Sequence, residues 1–429
     1  MPAARARVAQ TLQGILGDAL YRGSLLLLVD SAAVSAFGFV FWTLAARFYP
    51  AAAVGAYSGI TSGVSLLAAV AALGLPNTIT RNLSRAPDAR RLVVWSVAAI
   101  AVVGGVLCLL TVIIIGPHLP AALHLRERGG VALLVTGLVI ITAVGTTVNS
   151  GLVAARASQA VVLTTVSGSI VKIVALVVLT GLGSAGLLLA YGLGLLLATG
   201  LGGVALGRRL QSTARSGPIE LVRRHMSMTG GSYVAGIFGL LPASAVPLVI
   251  LVGRGASETA VFTVAYLVSS VLNLIPAVGA QVLIAEASRP RQRPGAQLAK
   301  ALKWVYGLLL PAVVVVLVAA PLVLRVFGLT YAAAGTTSLR FLALSTIFTG
   351  GTYLLESVLI ARDRMPAYIF VNGANAVLAI GFVAALLSRG LTAAAFGWAV
   401  ARGLSLLLAV FVVISPAGVG VAIHRSSSS

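Results

Sequence analysis

The sequence predicts an all-α membrane protein: about 12 transmembrane helices in two parallel six-helix repeats, forming two lobes around a central cavity. Three observations predict it. The composition is too apolar for water, the apolar runs have the length of a bilayer, and the two halves share a pattern of segments and basic turns.

Of 429 residues, 59% are hydrophobic and only 9% charged. A soluble protein keeps roughly 25% charged residues to wet its surface, so lipid is the expected solvent. The formal net charge of +21 would point to nucleic acid on a soluble chain. Here the basic residues sit between apolar runs without interleaved aromatics, which reads as a topology signal aided by anionic headgroups and excludes nucleic acid. Cys108 is the single cysteine, and His118, His124, His225 and His424 are scattered. No disulfide within the chain, metal site or cofactor is expected.

A helix needs about 20 apolar residues to cross roughly 30 Å of hydrocarbon. On that ruler, spans fall near 24–46, 52–74, 92–115, 130–154, 160–181 and 184–206. Six more follow near 228–252, 258–284, 301–324, 334–360, 366–387 and 392–414. The organisation is then an interfacial segment over 1–23, a lobe over 24–206, a linker over 207–227, a second lobe over 228–414 and a tail over 415–429. Lys and Arg in the connecting loops set the orientation. The side of the N-terminus holds 21 of them and the opposite side seven. Both termini are expected in the cytoplasm of a bacterial inner-membrane protein.

The halves look like copies. Residues 151–156 read G-L-V-A-A-R and residues 357–362 read S-V-L-I-A-R, 206 positions later, each closing a fourth helix. Val64-Ser65 corresponds to Val268-Ser269, and Ser84-Arg85 to Ser288-Arg289, at an offset of 204. Six crossings is an even number, so the repeats are parallel, and rocking two such bundles opens a cleft to either side. Pro242, Pro247, Pro276 and Pro311 interrupt helices of the second half, while Gly55, Gly59 and Gly63 suit close helix contact.

Charges inside apolar spans cost about 2.5–3.5 kcal/mol each and default to functional sites. Lys172 lies roughly 18 and 13 Å from the two ends of its helix at 1.5 Å per residue, too deep for its stem to snorkel. It is expected to meet water, a carboxylate or an anionic ligand. Arg402 sits at mid-depth in the last helix, Arg340 in the outer part of the tenth, Glu356 near that helix's inner end and Asp30 in the first. None recurs in the other half: at the repeat offset Lys172, Arg402 and Arg340 face leucines and Glu356 faces Ser150. A lumen with more cations than acids favours anionic cargo. If transport is ion-coupled, Asp30 and Glu356 are the proton or sodium acceptors, because a carboxylate in apolar surroundings needs a cation or a proton.

The stretch from Phe37 to Arg85 carries a resemblance. It reads G-F-V-F-W-T-L-A-A-R-F-Y-P over 38–50, V-G-A-Y over 54–57, L-G-L-P over 73–76 and I-T-R-N-L-S-R over 79–85. It resembles the polysaccharide or O-antigen flippases of the multidrug/oligosaccharidyl-lipid/polysaccharide exporter superfamily. The resemblance implies an undecaprenyl-diphosphate-linked oligosaccharide as cargo, moved from inner to outer leaflet by alternating access. It also implies a polysaccharide polymerase and glycosyltransferases as partners. By position, Arg47 and Arg81 match basic residues common at these helix ends in the family; Lys172 and Arg402 rest on depth alone.

Two other classes compete. Multidrug and toxin extrusion transporters share the architecture but tend toward acidic cavities for cationic drugs. A polytopic glycan polymerase or glycosyltransferase usually needs a sizeable external loop with carboxylates. The longest external loop here is about 15 residues with Glu127 as its only acid, so no enzyme is expected.

Overall fold

The computed structural model describes residues 19–83, 89–114, 129–210, 230–287 and 294–415. The interfacial segment up to residue 18, the external loop, most of the linker and the tail from 416 lie outside the described residues, as do Ser84-Arg85 and Ser288-Arg289.

The chain divides into two units, Met1–Tyr233 and Val234–Ser429. The first contains α1 (Ala19–Phe48), α2 (Ala51–Ala71), α3 (Leu75–Asn82), α4 (Ala89–Ile114), α5 (Gly129–Ala154), α6 (Ser158–Val178) and α7 (Gly183–Gly207). α8 (Gly230–Arg254) opens the second. It is followed by α9 (Ala256–Leu272), α10 (Leu274–Ala287), α11 (Pro294–Arg325), α12 (Leu329–Ala361), α13 (Met365–Leu387) and α14 (Leu391–Ile414). In hydrocarbon every backbone N–H and C=O must be satisfied within the segment, and a helix does this. Eleven of these helices are long and apolar enough to cross a membrane, or twelve if α9 and α10 form one bent span. The protein is a multi-pass, all-helical membrane protein.

Its outward faces fit that solvent. Val314, Val315, Val318 and Leu322 on α11 are 57–74% exposed, a patch that water would penalise and acyl chains accept. The inward faces hold leucine, valine and alanine, as where Leu152, Val161 and Leu206 join Ile79 in one buried cluster.

Both second spans are broken. Leu73 and Gly74 take left-handed φ of 51° and 71°, ending α2 and starting α3 with Pro76 in its first turn. α9 and α10 meet at Asn273 with a bend of 41°, so the run read as continuous over 258–284 is two helices. The turns after the fourth span repeat more closely. Ala157 N–H bonds the Leu152 carbonyl and Arg156 N–H the Val153 carbonyl, at 2.8 and 3.0 Å. Arg364 to Leu359 and Asp363 to Ile360 reproduce both bonds at 2.9 and 3.0 Å. Arg156 and Asp363 each take left-handed φ, 52° and 55°, giving the same Schellman cap twice. The turn therefore pairs Arg156 with Asp363, one position beyond the Arg156–Arg362 match read from the sequence.

α6 lies between α1 and α7. Where α6 and α7 touch, a Cβ on Gly194 would come within 2.5 Å of the Gly168 carbonyl and 2.7 Å of the Lys172 Cβ. Only glycine allows that approach, as in small-residue helix pairs generally.

α11 contains Pro311 and Pro321. A proline at 321 has no N–H for the carbonyl four residues back, that of Leu317. Arg340 Nε on α12 donates to this carbonyl at 3.1 Å. The exposed Arg340 side chain thus mends the α11 backbone, and it does not line the cavity described below. Arg340→Ala is expected to destabilise the protein by about 1–3 kcal/mol, the cost of an unpaired acceptor. Most of that cost should vanish in a Pro321→Ala background, where residue 321 regains its N–H. Thermal unfolding of the four proteins in detergent checks this, and simply additive effects would contradict the assignment.

Candidate functional site

Inside the second unit lies a polar cavity of about 350 Å³, the scale of a small-molecule site. Its walls are polar stripes on apolar helices. α12 contributes Ser345, Thr349, Thr352 and Glu356; α9 contributes Tyr266 and Ser269, with Asn273 just past its end; α13 contributes Tyr368, Asn372 and Asn375. Trp398 and Arg402 come from α14. Within each helix these residues follow one another at three or four positions, the spacing that keeps side chains on one face. α8 adds Ala243, whose carbonyl loses its helical donor to Pro247.

Arg402 is held on two sides. Its Nη1 donates to Asn375 Oδ1 at 2.9 Å, and Ser405 Oγ donates to the same oxygen at 3.1 Å, fixing the amide. The guanidinium carbon lies 4.4 Å from the Trp398 ring centroid, a cation–π contact. Tyr266 meets Trp398 edge-on at 5.5 Å. Arg402 Nε is buried and has no hydrogen-bond partner, as is Asn273 Oδ1. A buried donor left in that condition costs free energy unless something polar reaches it.

Glu356 is the cavity's acid, with the Asn372 amide beside it. No contact of 4.0 Å or less joins Glu356 to Arg402; the two charges act on each other at longer range. Hydroxyls of Ser345, Thr346, Thr349 and Thr352 donate to carbonyls of their own helix at 2.6–3.1 Å, which leaves their lone pairs as acceptors. The lining offers one planar cation, one acid, amides, hydroxyls and aromatic faces. Such a lining can hold an acidic or hydroxylated group, and it has the means to exchange a proton.

Of the residues expected from the sequence, Arg402 and Glu356 are brought together here. Lys172 belongs to the first unit. Its Nζ stands 4.9 Å from the Phe41 ring centroid, beside a cluster in which Phe41 and Trp42 lie 5.6 and 5.5 Å from Tyr57. The partner in this structure is an aromatic face, a class the sequence reading left out; a ring quadrupole meets a cation without a counter-charge. Asp30 lies on α1 with Oδ1 buried and unpartnered. Arg47 and Arg81 are exposed in the last turns of α1 and α3.

The sequence pattern of the polysaccharide biosynthesis protein family matches residues 20–285, more than half of the chain. The chain belongs to that family. No sequence among curated proteins matches this family member. Its fold is shared with solved transporters. An inward-facing multidrug resistance MATE family transporter of the MOP superfamily superposes with a TM-score of 0.69 at 17% identity, over 88% of this chain and 92% of that one. The lipid II flippase MurJ, in an inward closed conformation, gives 0.71 at 12% identity, over 91% and 88%. A MATE structure in a straight conformation gives 0.61 at 18% identity, over 91% and 94%.

In this polysaccharide biosynthesis protein most of the cavity lining is uncharged, and attention to ionisable residues alone passes over it. The signal that finds Tyr266, Asn273, Asn372, Asn375 and Trp398 is periodic polarity. α12, which carries the longest stripe, is the least apolar of the spans.

Proposed function

We propose that this polysaccharide biosynthesis protein is a flippase. It moves an undecaprenyl-diphosphate-linked oligosaccharide from the cytoplasmic to the outer leaflet of a bacterial inner membrane, with both termini in the cytoplasm. Arg402 is the anchor for anionic or hydroxylated groups of the cargo, and Glu356 and Asp30 are the acids that couple movement to protons or sodium. Lys172, Arg47 and Arg81 supply further positive charge for the diphosphate. The protein performs no covalent chemistry and works with a polymerase and glycosyltransferases that make and use its cargo.

The observation that carries this reading is the buried guanidinium of Arg402, with an unfilled donor in a lining otherwise made of amides, hydroxyls and rings. Sugars and acidic groups are recognised by that set of groups, whereas a site for cationic drugs gains nothing from a fixed cation. The family match and the fold shared with MurJ support it. A second reading, an ion-coupled multidrug exporter, draws on the fold shared with MATE transporters.

Proteoliposomes separate the two. The flippase reading expects fluorescent lipid-linked oligosaccharide to become accessible to a quencher on the opposite leaflet. Export of a cationic dye with no movement of the glycan lipid would overturn it.

A further inference from the structure

A second cavity lies at the surface of the second unit, away from the polar one. It is a groove of about 310 Å³ between α10 and α11. Val278, Val282 and Leu283 of α10 form one wall; Lys300, Ala301 and Trp304 of α11 form the other, with Gln297 at the end. Gly279 sets the depth, since a Cβ there would come within 2.4 Å of the Val305 side chain. The lining is graded. Aliphatic side chains run along its length, and the polar groups gather near the start of α11. Trp304 is 49% exposed, as suits an amphipathic ring at a membrane interface.

Lys300 is the cation among the lining residues, near Gln297 in the first turns of α11. A groove with an aliphatic floor and a lysine at its polar end, in a helix pair bathed by lipid, matches one ligand shape: an acyl chain carrying a negative head. Basic pockets between transmembrane helices on the cytoplasmic side take such headgroups. A zwitterionic lipid would match the floor alone.

We propose that the groove between α10 and α11 binds an anionic phospholipid, with the phosphate at Lys300 and an acyl chain along Val278, Val282 and Leu283. The site is independent of which cargo the polar cavity takes. Because α10 follows α9 across a 41° bend at Asn273, a lipid seated there packs against the second half of that bent span.

Trp304 provides the readout. Full-length protein is placed in nanodiscs containing brominated phosphatidylglycerol or brominated phosphatidylcholine, and quenching assigned to Trp304 is taken as wild type minus Trp304→Phe. Half-quenching by the anionic lipid is expected at about fivefold lower mole fraction, the contribution of one lysine near the surface. Lys300→Gln should bring the two lipids together, and Val282→Phe, which fills the groove at an exposed position, should weaken quenching by both. Equal quenching by the two lipids in wild type, or an unchanged preference in Lys300→Gln, would overturn the proposal. So would displacement of brominated phosphatidylglycerol by a polyprenyl phosphate at lower mole fraction than by unlabelled phosphatidylglycerol, which would assign the groove to cargo lipid.

Discussion

Arg402→Ala is expected to reach the membrane at wild-type level and to export lipid-linked glycan about ten- to a hundredfold more slowly. The size follows from the roughly 1.5–3 kcal/mol that a hydrogen bond to a charged group contributes, at 1.4 kcal/mol per tenfold. Arg402→Lys should recover little of it. The ammonium cannot bond Asn375, lie flat on Trp398 and offer a further donor at once, because only the guanidinium fork is planar. Flux of labelled glycan lipid in proteoliposomes measures both. If Arg402→Ala lowers protein level instead, adding Glu356→Gln tests the cause, since removing the arginine leaves that carboxylate in a low-dielectric cavity without a compensating charge. Undiminished flux in Arg402→Ala would remove Arg402 from the site.

Gly194→Leu is expected to prevent accumulation of a folded first lobe. The first carbon of the side chain would already overlap the Gly168 carbonyl, a backbone group that cannot swing away, and the Lys172 stem. Overpacking costs about 1–3 kcal/mol where neighbours are flexible side chains, and here the two helices must part. Gly200→Leu on the same helix is the control, because a Cβ there meets nothing within 4 Å. Size-exclusion profiles of the two proteins, made in parallel, should show a monodisperse peak only for Gly200→Leu. Equal profiles would mean that α6 and α7 do not need this contact.

Much of the molecule was legible because lipid imposes few solutions. An apolar run of bilayer length has to be a helix, and Pro76 and Pro276 near the breaks in the second spans announced trouble there. The repeat was visible at G-L-V-A-A-R and S-V-L-I-A-R, yet it misplaced the register by one residue. Sequence similarity follows the arginine, and the cap follows backbone dihedrals, which place Asp363 opposite Arg156. Arg340 shows the other limit. Its depth marked it as costly, and depth cannot reveal that a proline nineteen positions earlier had freed a carbonyl for it to bond.

The chain's chemistry by itself determined an all-helical, multi-pass protein, its family and the two mid-depth cations, since hydrophobic length and charge are properties of local sequence. Tertiary structure decided which groups meet. It set Arg402 on Asn375 and Trp398 and gathered polar stripes from four helices into one cavity. It also gave Lys172 the face of Phe41. The reason is rotational: composition and length say that a helix crosses, while the face it turns inward depends on the neighbours against which it packs.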